Sequence, residues 1–154
     1  MPGFDKQTKN RAIKRIIIHC SATKPNQNIG AATIKKWHLD RGWADIGYHY
    51  VIRRNGEVET GRDRDGDGDI FEEIGAHTYK YNRDSLGICI VGGIDYDGEP
   101  EANFSDKQWN TLRLMVRFLM AEFPNATVHG HNEFANKACP SFLVQPWLRK
   151  QDLI

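Results

Sequence analysis

A chain of 154 residues with 40% apolar and 27% charged residues can bury one core and has the composition of a single globular domain. Twenty-one basic against 20 acidic residues leave a net charge of +1, which excludes the strongly basic face of a general nucleic-acid binder. No apolar run approaches the ~20 residues of a membrane span. The N-terminal MPGFDKQTKNRAIKR lacks a signal peptide's apolar stretch, and three cysteines do not make a disulfide framework, so a reducing compartment is expected.

Residues 1–11 read as a flexible leader. Ala12–Cys20 (AIKRIIIHC) reads as a buried strand, whose alternation sends His19 and Cys20 to opposite faces. SATKPNQNIG is a loop by composition. Ala31–Arg41 then spaces Ile34, Trp37 and His38 as a helix does, with Gly42 as the stop. Tyr48–Arg54 and Glu57–Thr60 flank Asn55-Gly56, a strong hairpin signal.

Asp63–Asp69 (DRDGDGD) is an acidic surface loop. Asp63, Asp65, Asp67 and Gly68 match a calcium loop, but position 12 is Ile74 and Glu73 falls one residue early. The preferred reading is a solvated acidic turn without calcium. Residues 75–85 are a polar loop carrying His77. Leu86–Val91 is a second buried strand closed by Gly92-Gly93, and Asp95–Asn103 is a loop. Ser105 and Gln108 form a capping box for a helix presenting Trp109, Leu112, Met115, Val116 and Leu119 on one face and stopping before Pro124. Ala126–Val128 is a short strand, and a closing helix with Pro146 in its first turn turns Trp147 inward. The order β, α, β-hairpin, β, α, β, α predicts an α/β fold: a single domain with a central mixed β-sheet flanked by helices.

The chemistry concentrates in His129–Phe142, HGHNEFANKACPSF. A cysteine and a nearby histidine form half of a zinc site, and His19, at the end of RIIIHC, is the best distant partner. Three protein ligands would leave a fourth position for water, as in catalytic zinc sites. His129 and His131 compete for the middle ligand: two apart, they share a face of an extended segment, and spacing does not choose between them.

The chain resembles the type 2 N-acetylmuramoyl-L-alanine amidases, in particular the short phage lysozyme-type zinc amidases, to which peptidoglycan recognition proteins are related. The matching stretches are HCSATKP (19–25), GWADIGYHY (42–50), GAH with YNRDSLGICIVGG (75–93), and HNEFANKACPSF (131–142). The resemblance implies an amidase catalytic domain over 12–154 with a glycopeptide groove. It implies one zinc ion on His19, His131 and Cys139, with Tyr48 and Lys137 as the catalytic side chains. A branch of cytoplasmic amidases carries a carboxylate on the strand where this chain has Cys89, so no Glu stands out as the general base. The substrate implied is bacterial peptidoglycan, cut between N-acetylmuramic acid and L-alanine. The setting implied is a phage endolysin made in the host cytoplasm that reaches the wall once another factor opens the membrane. A peptidoglycan-binding protein of the same fold that does not cut is the alternative; such proteins typically lack the cysteine ligand.

Around this set, His77, Trp43 and His129 are candidate substrate contacts. His77 reads equally as groove lining or as loop, and His129 also as polar surface. Trp37, Trp43 and Trp109 read as core, Trp43 being the one whose face could stack on a sugar. Cys89, inside ICIV, and His49 are read as structural. No feature demands more than a monomer, and neither nucleic acid nor membrane insertion is expected.

Overall fold

The computed structural model describes residues 11–154, so the predicted leader lies outside the described residues except for Arg11. Arg11 is tied down: its guanidinium donates to the carbonyls of Phe71 at 3.0 Å, Arg83 at 2.9 Å and Ser85 at 2.8 Å.

Five strands form one sheet: β1 (Arg15–Cys20), β2 (Tyr50–Ile52), β3 (Val58–Thr60), β4 (Ser85–Ile90) and β5 (Thr127–Gly130). Their spatial order is β3-β2-β4-β1-β5. β1 runs parallel to β4 and β5, β2 runs parallel to β4, and only the β2–β3 hairpin is antiparallel. The sheet is therefore mixed, as the element order predicts. Among the described residues, three α-helices flank the sheet: α1 (Ala31–Asp40), α2 (Asp106–Glu122) and α3 (Val144–Lys150). Among the described residues, no helix is long and apolar enough to cross a membrane.

The apolar runs of β1 and β4 are continuous because both faces of these parallel strands are covered. One face carries Ile16, Ile18, Cys20, Leu86, Ile88, Ile90 and Val128, buried against Leu112, Val116 and Leu119 of α2 and Val144 and Leu148 of α3. The other face carries Val51 and Cys89, packed against Ile34 of α1 with Ile46 and Val91. Cys89 is fully buried, in agreement with its reading as a core residue.

The capping box forms: Ser105 Oγ accepts from the Gln108 N–H at 3.2 Å, and the Ser105 N–H donates to Gln108 Oε1 at 2.9 Å. Gln108 is itself fully buried. Its Nε2 donates to the Val91 carbonyl at 2.8 Å and the Ile52 carbonyl at 3.3 Å, so the first turn of α2 is bonded to the sheet.

Several boundaries and faces differ from expectation. β1 begins at Arg15 rather than Ala12, and β5 runs on to Gly130, because these residues find partners only where β4 and β5 lie alongside β1. Trp37 is not core. It stands on the solvent side of α1, whose buried residues are Ile34 and His38. In α3 the buried residues are Val144 and Leu148, with Trp147 packed at the edge of the core.

Candidate metal centre and groove

His19 lies near the C-terminal end of β1, on the face opposite the larger core, and is 1% exposed. His131 opens the 3-10 turn His131–Glu133 directly after β5, the neighbour of β1. Cys139 arrives on the following loop, whose Ser141 donates its hydroxyl to the Gly93 carbonyl at 2.7 Å. Gly93 has φ +103°, and a Cβ there would sit 2.5 Å from Cys20 Sγ, so the close seating of the Cys139 loop on β1 and β4 requires glycine. One nitrogen from each histidine and the Cys139 sulfur all lie within 4.8 Å of one another. The His19 and His131 ring centroids are 4.6 Å apart, and Cys139 Sγ is 3.8 Å from His19 Nδ1. Two imidazoles and a thiol converging this closely form a donor set that suits a zinc ion.

The electrostatics match that chemistry. Burial pushes His19 well below the ordinary imidazole value, and the charges of His131, His49 and Lys137 push the same way. Burial and then Lys137 lower His131. Both rings are thus neutral, as metal donors must be. The hydrogen bond with the Cys20 sulfur, and then burial, push the Cys139 thiol up, so a nearby cation is what would make it a thiolate. Cys20 itself belongs to the larger core by its strand face, yet its backbone N–H donates to Cys139 Sγ at 3.3 Å. Strand alternation could not show that contact, because the partner lies 119 residues away.

Tyr48 stacks at a tilt on His19, centroids 5.1 Å apart. Lys137 is exposed and, with His131, borders a groove of about 700 Å³ whose lining includes Trp43, Tyr79, Tyr81 and Phe134. Trp43 is 36% exposed there, so it is not a core residue. His129 is placed elsewhere. It pairs with Ile17, and its ring is held by Thr127 Oγ1 at 2.7 Å and Glu133 Oε1 at 2.8 Å, beside a separate cavity lined by Met120, Gln145 and Leu148. The extended segment ends at Gly130, and the 3-10 turn beginning at His131 sends the two histidines apart.

His77 also lines the groove, but it is only 9% exposed and sits behind His19, Nδ1 to Nε2 at 2.8 Å. Its companions Thr78 and Ser85 escaped the sequence reading, since a hydroxyl beside a histidine leaves no spacing signal. In the acidic loop, carboxylate oxygens of Asp63, Asp65 and Asp67 lie within 4.8 Å of one another, as do those of Asp65, Glu72 and Glu73.

His49, read as structural, bridges two segments. Its Nε2–H donates to the Glu73 carbonyl at 2.6 Å, and its Nδ1 accepts from the Gly87 N–H at 3.0 Å. Burial pushes this ring down to about 3, with the Arg11 charge acting in the same direction and the Glu73 hydrogen bond opposing. The unfolded chain takes up a proton here near pH 6.5 that the native chain refuses. Stability is therefore complete above pH 6.5 and is lost as pH falls towards 3, by up to ~1.4 kcal/mol per pH unit from this group. Urea midpoints recorded from pH 7 to 4 should fall more steeply for the native sequence than for His49→Gln. Parallel lines would refute the assignment.

The match to known proteins follows this geometry. The N-acetylmuramoyl-L-alanine amidase family model matches residues 9–142, and the chain belongs to that family. It is accordingly an enzyme, an amidase of peptidoglycan. It is 45% identical over 139 residues to the endolysin of Escherichia phage T7, covering 90% of this chain and 87% of that one. Among solved structures, the N-acetylmuramoyl-L-alanine amidase LysC from Clostridium intestinale superposes with a TM-score of 0.74 at 24% identity, over 94% of this chain and 88% of that one. Drosophila PGRP-LB, at 24% identity over 90% of this chain and 81% of its own, gives 0.69.

Proposed function

We propose that this chain is a zinc-dependent endolysin that hydrolyses the amide between the lactyl group of N-acetylmuramic acid and L-alanine during host lysis. The convergence of His19, His131 and Cys139 within 4.8 Å beside the groove carries this reading. A zinc ion held by these three residues would supply a water activated near neutral pH and a fixed positive charge.

The rest falls to the chain's own groups. The groove, about 700 Å³ and bordered by aromatic rings, takes the glycopeptide and sets the scissile carbonyl beside His131 and Lys137. As water adds to the carbonyl carbon, the carbonyl oxygen gains negative charge, which the Lys137 ammonium stabilises. The Tyr48 hydroxyl orients the water and relays its proton: as the C–N bond breaks it gives its own proton to the amine nitrogen of L-alanine and takes up the one the water released, ending protonated. Burial raises the Tyr48 phenol well above its ordinary value, so it enters this step protonated. The protein is made in the host cytoplasm and acts as a monomer on the wall.

The test is a digest of purified peptidoglycan, assayed for new amino groups on L-alanine and for new reducing sugar ends. Amines without reducing ends, abolished by a chelator and restored by zinc alone, are expected. Recovery that also required calcium would return the Asp63–Asp69 loop to the reaction. Reducing ends instead would mean a glycosidase. Neither product, with the protein pelleting alongside the wall, would mean a binding protein.

A further inference from the structure

We propose that His77 is a positioning residue: its Nδ1 accepts the Nε2–H of His19 and holds that ring in the tautomer that leaves His19 Nδ1 free to face Cys139 and His131. The inference rests on the metal reading of the site.

The geometry has four parts. First, the two nitrogens of His19 face different things: Nδ1 lies 3.8 Å from Cys139 Sγ, whereas Nε2 lies 2.8 Å from His77 Nδ1 and 3.2 Å from Thr78 Oγ1. A neutral imidazole carries one proton, so a lone pair on Nδ1 places the proton on Nε2, where it needs an acceptor. Second, His77 can be that acceptor because its own proton has an outlet: Nε2 lies 3.3 Å from Ser85 Oγ. Third, the His77 backbone is fixed. Asn82 Oδ1 accepts from the N–H groups of both His77 and Thr78 at 2.9 Å.

Fourth, the sheet makes room for the ring. Gly87 of β4 lies beneath it, and a Cβ at that position would come within 2.7 Å of His77 Cγ. His19 is 1% exposed and His77 is 9% exposed, so bulk water does not readily replace a lost partner; without His77 the Nε2–H keeps the Thr78 hydroxyl alone, at 3.2 Å, and that hydroxyl loses its own 2.9 Å contact with His77 Nδ1. Partners that orient a ligating histidine in this way commonly contribute 10–100-fold to metal affinity. Direct contact with the glycopeptide, the sequence-level expectation for His77, becomes secondary to this role.

The test measures zinc affinity by competition with a chromophoric chelator. His77→Ala should bind zinc about 10–100-fold more weakly than the native chain. His77→Asn, whose amide oxygen can occupy the place of Nδ1, should recover most of that loss. Equal affinities in the native and His77→Ala proteins, or equal losses in the Ala and Asn variants, would overturn the proposal. A second measurement needs no variant: nitrogen-15 NMR of the zinc-loaded native protein should show His77 protonated on Nε2 and bare on Nδ1. A proton on His77 Nδ1 would refute the proposal even if neither variant folded. A native chain that failed to bind zinc would instead bring down the metal reading, and that result is separable from the tautomer.

Discussion

Cys139→Ala should abolish amide hydrolysis and strip the protein of stoichiometric zinc. Removing the thiol leaves two neutral imidazoles, His19 and His131, which cannot balance a divalent charge as a thiolate does. The geometry predicts little collateral damage. Cys139 sits on a loop anchored independently by the Ser141–Gly93 hydrogen bond, and its sulfur accepts the Cys20 N–H at 3.3 Å and lies 3.9 Å from the Cys20 carbonyl. Circular dichroism should therefore show a native fold, while metal analysis after gel filtration shows less than one zinc per ten chains. Native zinc content and activity in this variant would remove Cys139 from the ligand set and with it the proposed chemistry.

Lys137→Ala should do the reverse, keeping the zinc and losing the rate. The side chain is exposed and borders the groove next to His131, and its charge is felt at both the His19 and His131 rings. An ammonium there bears on an oxyanion that exists only as the carbonyl is attacked, so its loss should lower kcat by about 10²–10³-fold. An exposed side chain with no packing role leaves stability within ~0.5 kcal/mol. Zinc content and melting temperature should match the native chain, and Lys137→Arg should restore part of kcat. Unchanged kcat on a soluble muropeptide would exclude Lys137 from the mechanism. A change in KM alone would make it a substrate anchor.

The parts of this architecture that were legible in the sequence are those written in local patterns. The isoleucine run of β1, Asn55-Gly56 and the Ser105–Gln108 box each encode their element within a few residues, and each is found where expected. The larger core of α2 was readable from its helical spacing. What stayed hidden depends on tertiary position. Trp37 has the spacing of a core residue but lies on the open flank of α1. His129 and His131 are equivalent as an extended pair and separate only because a 3-10 turn begins at His131. His77 could not be assigned because its environment is built from His19 and Ser85, brought together by β1 and β4 pairing in parallel. Among the metal candidates, Cys139 and a nearby histidine could be read as half a site with His19 as the distant partner, but the choice of His131 over His129 came from matching whole segments to a family.

The parallel register of the sheet has a consequence for when this enzyme can exist at all. β1 is made before both of its neighbours, which come much later in the chain, since Arg15 pairs with Ser85 and with Thr127. An isolated β1 has nothing to pair with, and the long loops that bring its partners back must close first. The group formed by His19, His131 and Cys139 is therefore incomplete until the segment carrying Cys139 has been made. The candidate centre is thus assembled late, and a chain that stops before Cys139 lacks one of its three members.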